Sequence, residues 1–246
     1  MNDIPSGEEQ EARNNLVLSY LSVRRALGVL GFSLPVLLAA AGLLSGDGIQ
    51  PSISEFYFTS AGDILVGVLS AIGVFLWAYR GFERRPDEFF SDYVISRLAA
   101  VGAVGVALIP TRGPMDSNPL PMMHRLLGVD LSQKLHFASA TLFFLCLAVF
   151  CLVLFRRRDP AKPITPAKRA QNRIYLVCGW IILAMILALG VFGWWYSGLP
   201  PERQTEVDRL DAVFYLESIA VFAFSVSWLT KGKTLAPLER LVLRFG

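Results

Sequence analysis

The chain is poor in the residues and motifs that water-soluble enzymes use. Only 17% of its 246 residues are charged, too few to cover the surface of a soluble domain of this length. It contains two histidines, and GxSxG, P-loop, HExxH and GxGxxG motifs are all missing. Glycine–serine linkers, low-complexity tracts and internal repeats are missing as well, so we expect a single domain over residues 1–246.

Cysteine is scarce too, and its placement argues against a disulfide framework. Cys146, Cys151 and Cys178 all lie in apolar stretches, where cysteine usually acts as a small apolar side chain. Their number is odd, and neither a CxxC pair nor a Cys/His metal spacing occurs. We therefore expect no cofactor and no metal, with His136 as the one weak candidate for a metal ligand.

The chain does contain six apolar stretches of near-bilayer length. They cover residues 26–44, 61–79, 93–110, 134–155, 174–196 and 210–230. At about 1.5 Å rise per residue, a helix of this size can cross roughly 30 Å of hydrocarbon. The sequence therefore predicts an all-α fold, a polytopic membrane bundle of six transmembrane helices.

The third stretch carries small residues at helical spacing. Ala99, Ala103 and Ala107 recur every four positions, with Gly102 and Gly105 beside them. Such a stripe permits close approach of two helix backbones. We expect this helix to pack centrally.

The positive charge of the loops alternates along the chain and predicts the orientation. The N-terminal tail, the second loop, the fourth loop and the C-terminal tail contain 3, 4, 7 and 4 Lys or Arg residues. The first, third and fifth loops contain 0, 3 and 2. The positive-inside rule then places both termini in the cytoplasm, with the protein in the plasma (inner) membrane. The net charge of +3 is explained by this asymmetry and does not indicate nucleic-acid binding.

The last residues, 235–246, have an amphipathic pattern. Leu238, Leu241, Val242 and Phe245 recur at i, i+3, i+4 and i+7. This spacing predicts a short helix on the cytoplasmic membrane surface. A frayed tail is the alternative.

Three ionisable side chains fall inside the predicted spans at similar depth. Asp63, His136 and Glu217 belong to spans 2, 4 and 6, which all run from the outside to the inside. Ionisable groups inside a membrane are costly and are default functional candidates. Helix packing could bring the three into one polar pocket, as catalytic or ligand-binding groups. The alternatives are interfacial water for Asp63 and His136, and a structural hydrogen bond for Glu217.

The outer loop before span 2 alternates polar and aromatic residues over positions 52–60 and contains no Lys or Arg. It could fold back over a pocket and supply Ser54, Glu55, Tyr57 and Thr59 as ligand-binding residues. An interfacial aromatic anchor is the alternative interpretation.

Several short motifs together resemble a known group of proteins. They are Ser52–Ser60, Leu135–His136–Phe137, Glu217–Ser218 and Ser227–Gly232. In these motifs the chain resembles uncharacterised bacterial six-span DUF998-like membrane proteins, and it is distantly similar to the DRAM-like (Frag/Sfk) family. The resemblance implies a role around membrane lipids and no defined activity.

Three functions follow as hypotheses. The first is binding or organising membrane lipid through an outer-leaflet polar pocket, with membrane lipids as the partners and no enzymatic step. The second is an intramembrane lipid hydrolase or transferase in which His136 acts as a base. The third is a small proton-coupled transporter, which the missing inverted repeats make less attractive.

Overall fold

A computed structural model describes residues 7–82, 86, 88–113, 120–157 and 163–244, with side chains from Tyr20 to Leu243. The predicted all-α architecture is confirmed, since these residues form helices and no strand. The α-helices are α1 (Gly7–Ser45), α2 (Gly62–Ala78), α3 (Asp92–Leu108), α4 (Met122–Leu127), α5 (Val129–Val149), α6 (Pro166–Ser197), α7 (Pro201–Asp208), α8 (Ala212–Lys231) and α9 (Ala236–Arg244). A 3₁₀ segment, Ile53–Phe58, precedes α2, and a π-helical turn, Phe150–Leu154, extends α5.

Each predicted span coincides with a helix. Four helical segments are long and apolar enough to cross a membrane, namely Tyr20–Ser45, Val129–Leu154, Pro166–Ser197 and Ala212–Lys231. Helix α2 is apolar but has only 17 residues, and α3 has the same length and includes two charged side chains. The structure thus supports a membrane-embedded bundle, while the spanning of α2 and α3 remains a prediction.

The small-residue stripe of α3 lies at the centre of the bundle. Ala99, Ala103 and Ala107 are fully buried. A Cβ atom added at Gly102 would lie 2.9 Å from both the backbone nitrogen of Phe143 and the backbone oxygen of Ser139 in α5. Contact between α3 and α5 is therefore backbone to backbone, as the sequence pattern predicted.

A cluster of aromatic rings fills the end of the bundle where α8 finishes. The indole of Trp228 is fully buried, with ring centroids 5.1 Å from Tyr79, 5.3 Å from Phe150 and 5.0 Å from Phe155. Edge contacts of this kind add to the stability gained by burying the rings. We call these four residues the aromatic cluster.

The amphipathic tail forms α9. Its apolar residues Leu238 and Val242 pack against the core, and Gln171 of α6 donates a hydrogen bond of 3.0 Å to Glu239. The predicted helix is therefore present and lies against α6. Phe245 of the predicted repeat lies outside the described residues.

Candidate functional site

The 3₁₀ segment Ile53–Phe58 inserts side chains into the bundle instead of lying on its surface. Ser52 adopts an extended backbone, and its hydroxyl accepts a hydrogen bond of 3.2 Å from the backbone N–H of Glu55, which caps the segment. Ile53, Ser54 and Phe56 are buried. Of the two interpretations of this loop, the segment therefore folds inward with Ile53, Ser54 and Phe56.

Hydrogen bonds at both ends hold this segment in place. The Asp47 carboxylate accepts from the hydroxyl of Ser60 at 2.7 Å, from the Ser60 backbone N–H and from the hydroxyl of Ser45 at 2.9 Å. These bonds, the Ser60 hydroxyl first, hold the pKa of Asp47 below its usual range. The N–H of Phe214, in the first turn of α8, donates to the carbonyl of Pro51 at 2.8 Å.

Ser54 meets His136 inside the bundle. The Ser54 hydroxyl lies 2.9 Å from Nε2 of His136, and Nδ1 of the same ring lies 2.6 Å from the carbonyl oxygen of Ile109. A carbonyl can only accept, so Nδ1 carries the proton. In the neutral ring Nε2 is then an acceptor, and the Ser54 hydroxyl donates to it. This is the geometry of a hydroxyl beside a general base whose orientation a third group fixes.

The carbonyl that orients His136 belongs to a row of three. The carbonyl oxygens of residues 109–111 accept in turn from Nδ1 of His136, from the hydroxyl of Ser132 at 3.0 Å and from Nε2 of His124 at 2.8 Å. They follow the end of α3 at Leu108, where backbone carbonyls lack intrahelical donors. The sequence analysis missed this row, although Pro110 marks the helix end and hence the free carbonyls.

Glu217 contacts the same 3₁₀ segment from α8. Its Oε2 atom accepts a hydrogen bond of 2.7 Å from the backbone N–H of Ile53. Glu217 and Ser54 also line one small cavity of about 40 Å³, whose other walls are apolar. That volume holds about one water molecule. The cavity is therefore too small for the lipid headgroup that the sequence led us to expect between these side chains.

Asp63 does not join His136 and Glu217. It lies exposed in the first turn of α2. Its side chain faces outward. The structure therefore brings His136 and Glu217 to two consecutive residues of the 3₁₀ segment, Ser54 and Ile53, and leaves Asp63 apart.

The other three candidates of the outer loop have local roles. The Thr59 hydroxyl donates to the carbonyl of Phe56 at 2.9 Å and so closes the turn after the segment. The ring of Tyr57 packs edge-on against Phe58. Glu55 is partly buried, and its burial together with the nearby carboxylate of Asp208 in α7 raises its pKa.

Within the described ranges, no group of three or more His, Cys, Asp or Glu side chains is arranged to hold a metal ion. Both ring nitrogens of His136, the weak candidate, already form hydrogen bonds within the protein. The three cysteines are buried and unpaired with one another. Comparisons of the chain with protein-family models, with curated proteins and with solved structures find no match.

Proposed function

We propose that this chain is a six-helix integral membrane protein that binds a membrane lipid along one side of its bundle, with both termini in the cytoplasm. A groove of about 480 Å³ between α2 and α3 carries the proposal. Its volume is in the range of ligand-binding clefts. Its walls are almost entirely apolar, which suits the acyl chain of a bilayer lipid and no polar ligand.

Small residues and exposed valines line this groove together. Gly73, Ala100 and Gly105 are among the small ones, and the Val104 side chain packs closely against Gly73 between the two helices. Val74 and Val101 line it as well and are 65% and 55% exposed. Because α2 and α3 are apolar helices of a membrane-embedded bundle, an exposed apolar groove between them faces lipid.

A cationic group stands at one end of the groove. The Arg97 guanidinium lies 4.4 Å from the ring centroid of Trp77, which lines the groove, and 4.0 Å from that of Tyr93. Its Nε atom is buried without a hydrogen-bond partner. Arginine beside aromatic rings is typical of the headgroup level of a membrane. An acyl chain in the groove would place a lipid phosphate within reach of Arg97.

The opposite end of the groove lies next to the Ser54–His136 pair. Ile109 lines the groove there, and its carbonyl oxygen is the one that accepts from Nδ1 of His136. A lipid in the groove would therefore lie beside Ile109, which links the groove to the 3₁₀ segment through His136. This contact supports the lipid proposal and motivates a second candidate function.

The test of lipid binding fills the groove without disturbing the core. Val101→Trp adds bulk at an exposed lining position, and Val177→Trp is the control, because Val177 is 57% exposed on α6 and lies outside the groove. We expect native mass spectrometry of detergent-purified wild type to show about one retained lipid per chain. Val101→Trp should retain several-fold less, and Val177→Trp as much as wild type. Equal retention in all three proteins would overturn the proposal.

An intramembrane lipid hydrolase or transferase is the second candidate, and the Ser54–His136 hydrogen bond favours it. In such a reaction His136 Nε2 takes the Ser54 hydroxyl proton as that oxygen attacks an ester carbonyl, and returns it to the alcohol that leaves when the ester C–O bond breaks. Water or an acceptor alcohol then takes the acyl group from Ser54. Reconstituted wild type would then release fatty acid or transfer an acyl group, and Ser54→Ala would lose that activity. Absence of turnover by wild type on phospholipid, glycolipid and diacylglycerol esters would leave lipid binding as the function.

A further inference from the structure

A second group of polar side chains lies at the other end of the bundle, around the exposed ring of Phe82. Nζ of Lys231 is 5.4 Å from the centroid of that ring, and the guanidinium carbon of Arg24 is 5.9 Å from it. Nζ of Lys168 donates to the carbonyl of Phe155 at 2.9 Å, and Nζ of Lys231 lies 3.5 Å from the same oxygen. Three cations from α1, α6 and α8 therefore converge. We call Arg24, Lys168 and Lys231 the cationic cluster.

Arg24 is buried and still has a free donor. Its residue surface is only 6% exposed, and its guanidinium lies 3.9 Å from the centroid of Tyr20. One terminal nitrogen donates to the hydroxyl of Tyr79 at 3.3 Å, but Nε has no hydrogen-bond partner. The indole N–H of Trp228, which packs edge-on against Tyr79, is also buried without an acceptor. The region thus has more donors than acceptors.

No carboxylate in the described part of the chain lies within ion-pair distance of the cationic cluster. The nearby acids, Asp92 and Glu88, both pair with Arg157, at 2.6 Å and 3.2 Å. The charges that act on Lys231 include Arg24, Lys168 and Arg157 against the single carboxylate of Asp92. Aromatic faces and one carbonyl oxygen offset only part of the cost of burying so much positive charge.

We propose that the cationic cluster binds an anion of the phosphate class, which enters beside Phe82. A phosphate group offers several acceptor oxygens and up to two negative charges, which match three ammonium and guanidinium donors. Phe82 is 55% exposed and gives access from the surface. Basic pockets between membrane helices are known to hold lipid headgroups, and a soluble phosphate has the same chemistry.

This site is independent of the α2–α3 groove. Its cations belong to α1, α6 and α8, whereas the groove is lined by α2, α3 and Met123 of α4. Either proposal can therefore fail without the other.

The experiment measures phosphate binding by the full chain in nonionic detergent. Thermal unfolding is followed while inorganic phosphate replaces chloride at constant ionic strength, and separately with dihexanoyl phosphatidic acid. A ligand that binds only the folded protein raises Tm in proportion to its occupancy. Lys168→Gln and Lys231→Gln remove one donor each, and Arg169→Gln is the matched control because Arg169 is the exposed neighbour of Lys168 on α6.

We expect saturable stabilisation of the wild type by at least one of the two ligands. Loss of one charge-assisted hydrogen bond should raise the apparent Kd roughly tenfold or more in Lys168→Gln and Lys231→Gln. Arg169→Gln should bind as wild type does. Tighter binding of the phosphatidic acid assigns the site to a lipid headgroup, and equal or tighter binding of inorganic phosphate assigns it to a soluble anion.

Two results would overturn the proposal. One is that neither ligand shifts the Tm of the wild type beyond what chloride does. The other is that Arg169→Gln weakens binding as much as Lys168→Gln does. If Lys231→Gln does not fold, Lys168→Gln still decides, since Lys168 is only partly buried at the start of α6 and its loss leaves the core intact.

Discussion

At the scale of single residues, hydrogen bonds constrain the ring of His136 beside the 3₁₀ segment from two sides. Its ring is 3% exposed, and each nitrogen has one partner on a different element, Ser54 before α2 and Ile109 after α3. A ring flip would leave a buried hydroxyl or carbonyl unpaired, at a cost of about 1–3 kcal/mol. The ring is therefore already oriented before any ligand arrives.

Glu55 gives the fold a dependence on pH at this scale. Its carboxyl pKa is raised by burial and by Asp208, so folding favours the neutral form. The stabilisation is fully present below the pKa of the unfolded chain and is lost as pH rises through the raised pKa. We expect Glu55→Gln to have a higher Tm than wild type at pH 7, with a smaller difference at pH 4.

Thermal unfolding by circular dichroism at the two pH values checks this expectation. Glu202→Gln is the control, because Glu202 is an exposed acid on α7. A Glu55→Gln difference that is the same at pH 4 and pH 7 would contradict the stated cause.

Part of this arrangement of side chains could be predicted from the sequence. The pattern of positions 52–60 indicated that Ser54 could fold inward. Hydropathy placed His136 and Glu217 inside predicted spans, where ionisable groups are functional candidates. Depth follows from position along a helix, but the direction of a side chain depends on how that helix packs. Asp63 therefore lies in the expected helix but faces outward, away from the His136 and Glu217 side chains. Arg24 was counted only as a charge of the N-terminal tail, because its burial depends on a contact with Tyr79, which lies 55 residues further along the chain.

At the scale of helices, the sequence predicted that α3 approaches a neighbouring helix closely, and in the structure that neighbour is α5. The stripe of small residues could be recognised in the sequence, because residues four positions apart lie on one face of a helix. The helix that packs against it could not be predicted, since nothing in that stripe identifies Ser139 and Phe143 as the residues opposite Gly102. Likewise, the π-helical turn at the end of α5 has no sequence signal that we recognise.

We expect Gly102→Ala to destabilise the bundle, because the new methyl group meets backbone atoms that cannot move away. Overpacking of this kind costs typically about 1–3 kcal/mol. Gly67 of α2 has open space around its Cα, and Gly67→Ala should stabilise the helix by about 0.5–1 kcal/mol. Unfolding of the two variants in the same detergent measures both. Equal stability of Gly102→Ala and Gly67→Ala would contradict the close packing described.

At the scale of the whole molecule, the two ends of the bundle differ in chemistry. The end with the 3₁₀ segment carries hydroxyls, carbonyls and the carboxylate of Glu217, and the other end carries the aromatic cluster and the cationic cluster. The positive-inside rule predicts that the end with the cationic cluster faces the cytoplasm. Which side chains contact one another within each end depends on the tertiary packing of the helices.

Orientation can be tested because the three native cysteines are buried and give little background labelling. We expect Thr205→Cys, exposed on α7, to react with a membrane-impermeant maleimide in intact cells. Thr234→Cys, exposed after α8, should react only after the membrane is opened. The reverse pattern would place the termini outside.

Helix α5 and its π-helical turn form one continuous rod that contributes to both ends, with His136 near its beginning and Arg157 just beyond its end. Each residue of an α-helix turns the chain by about 100°. Insertion or deletion of one residue between these two positions would therefore rotate Arg157 away from Asp92 or His136 away from Ser54. Substitutions within this segment can be absorbed locally, whereas a change in its length cannot. Homologous chains that keep both ends should consequently differ here by exchange of residues and not by gaps.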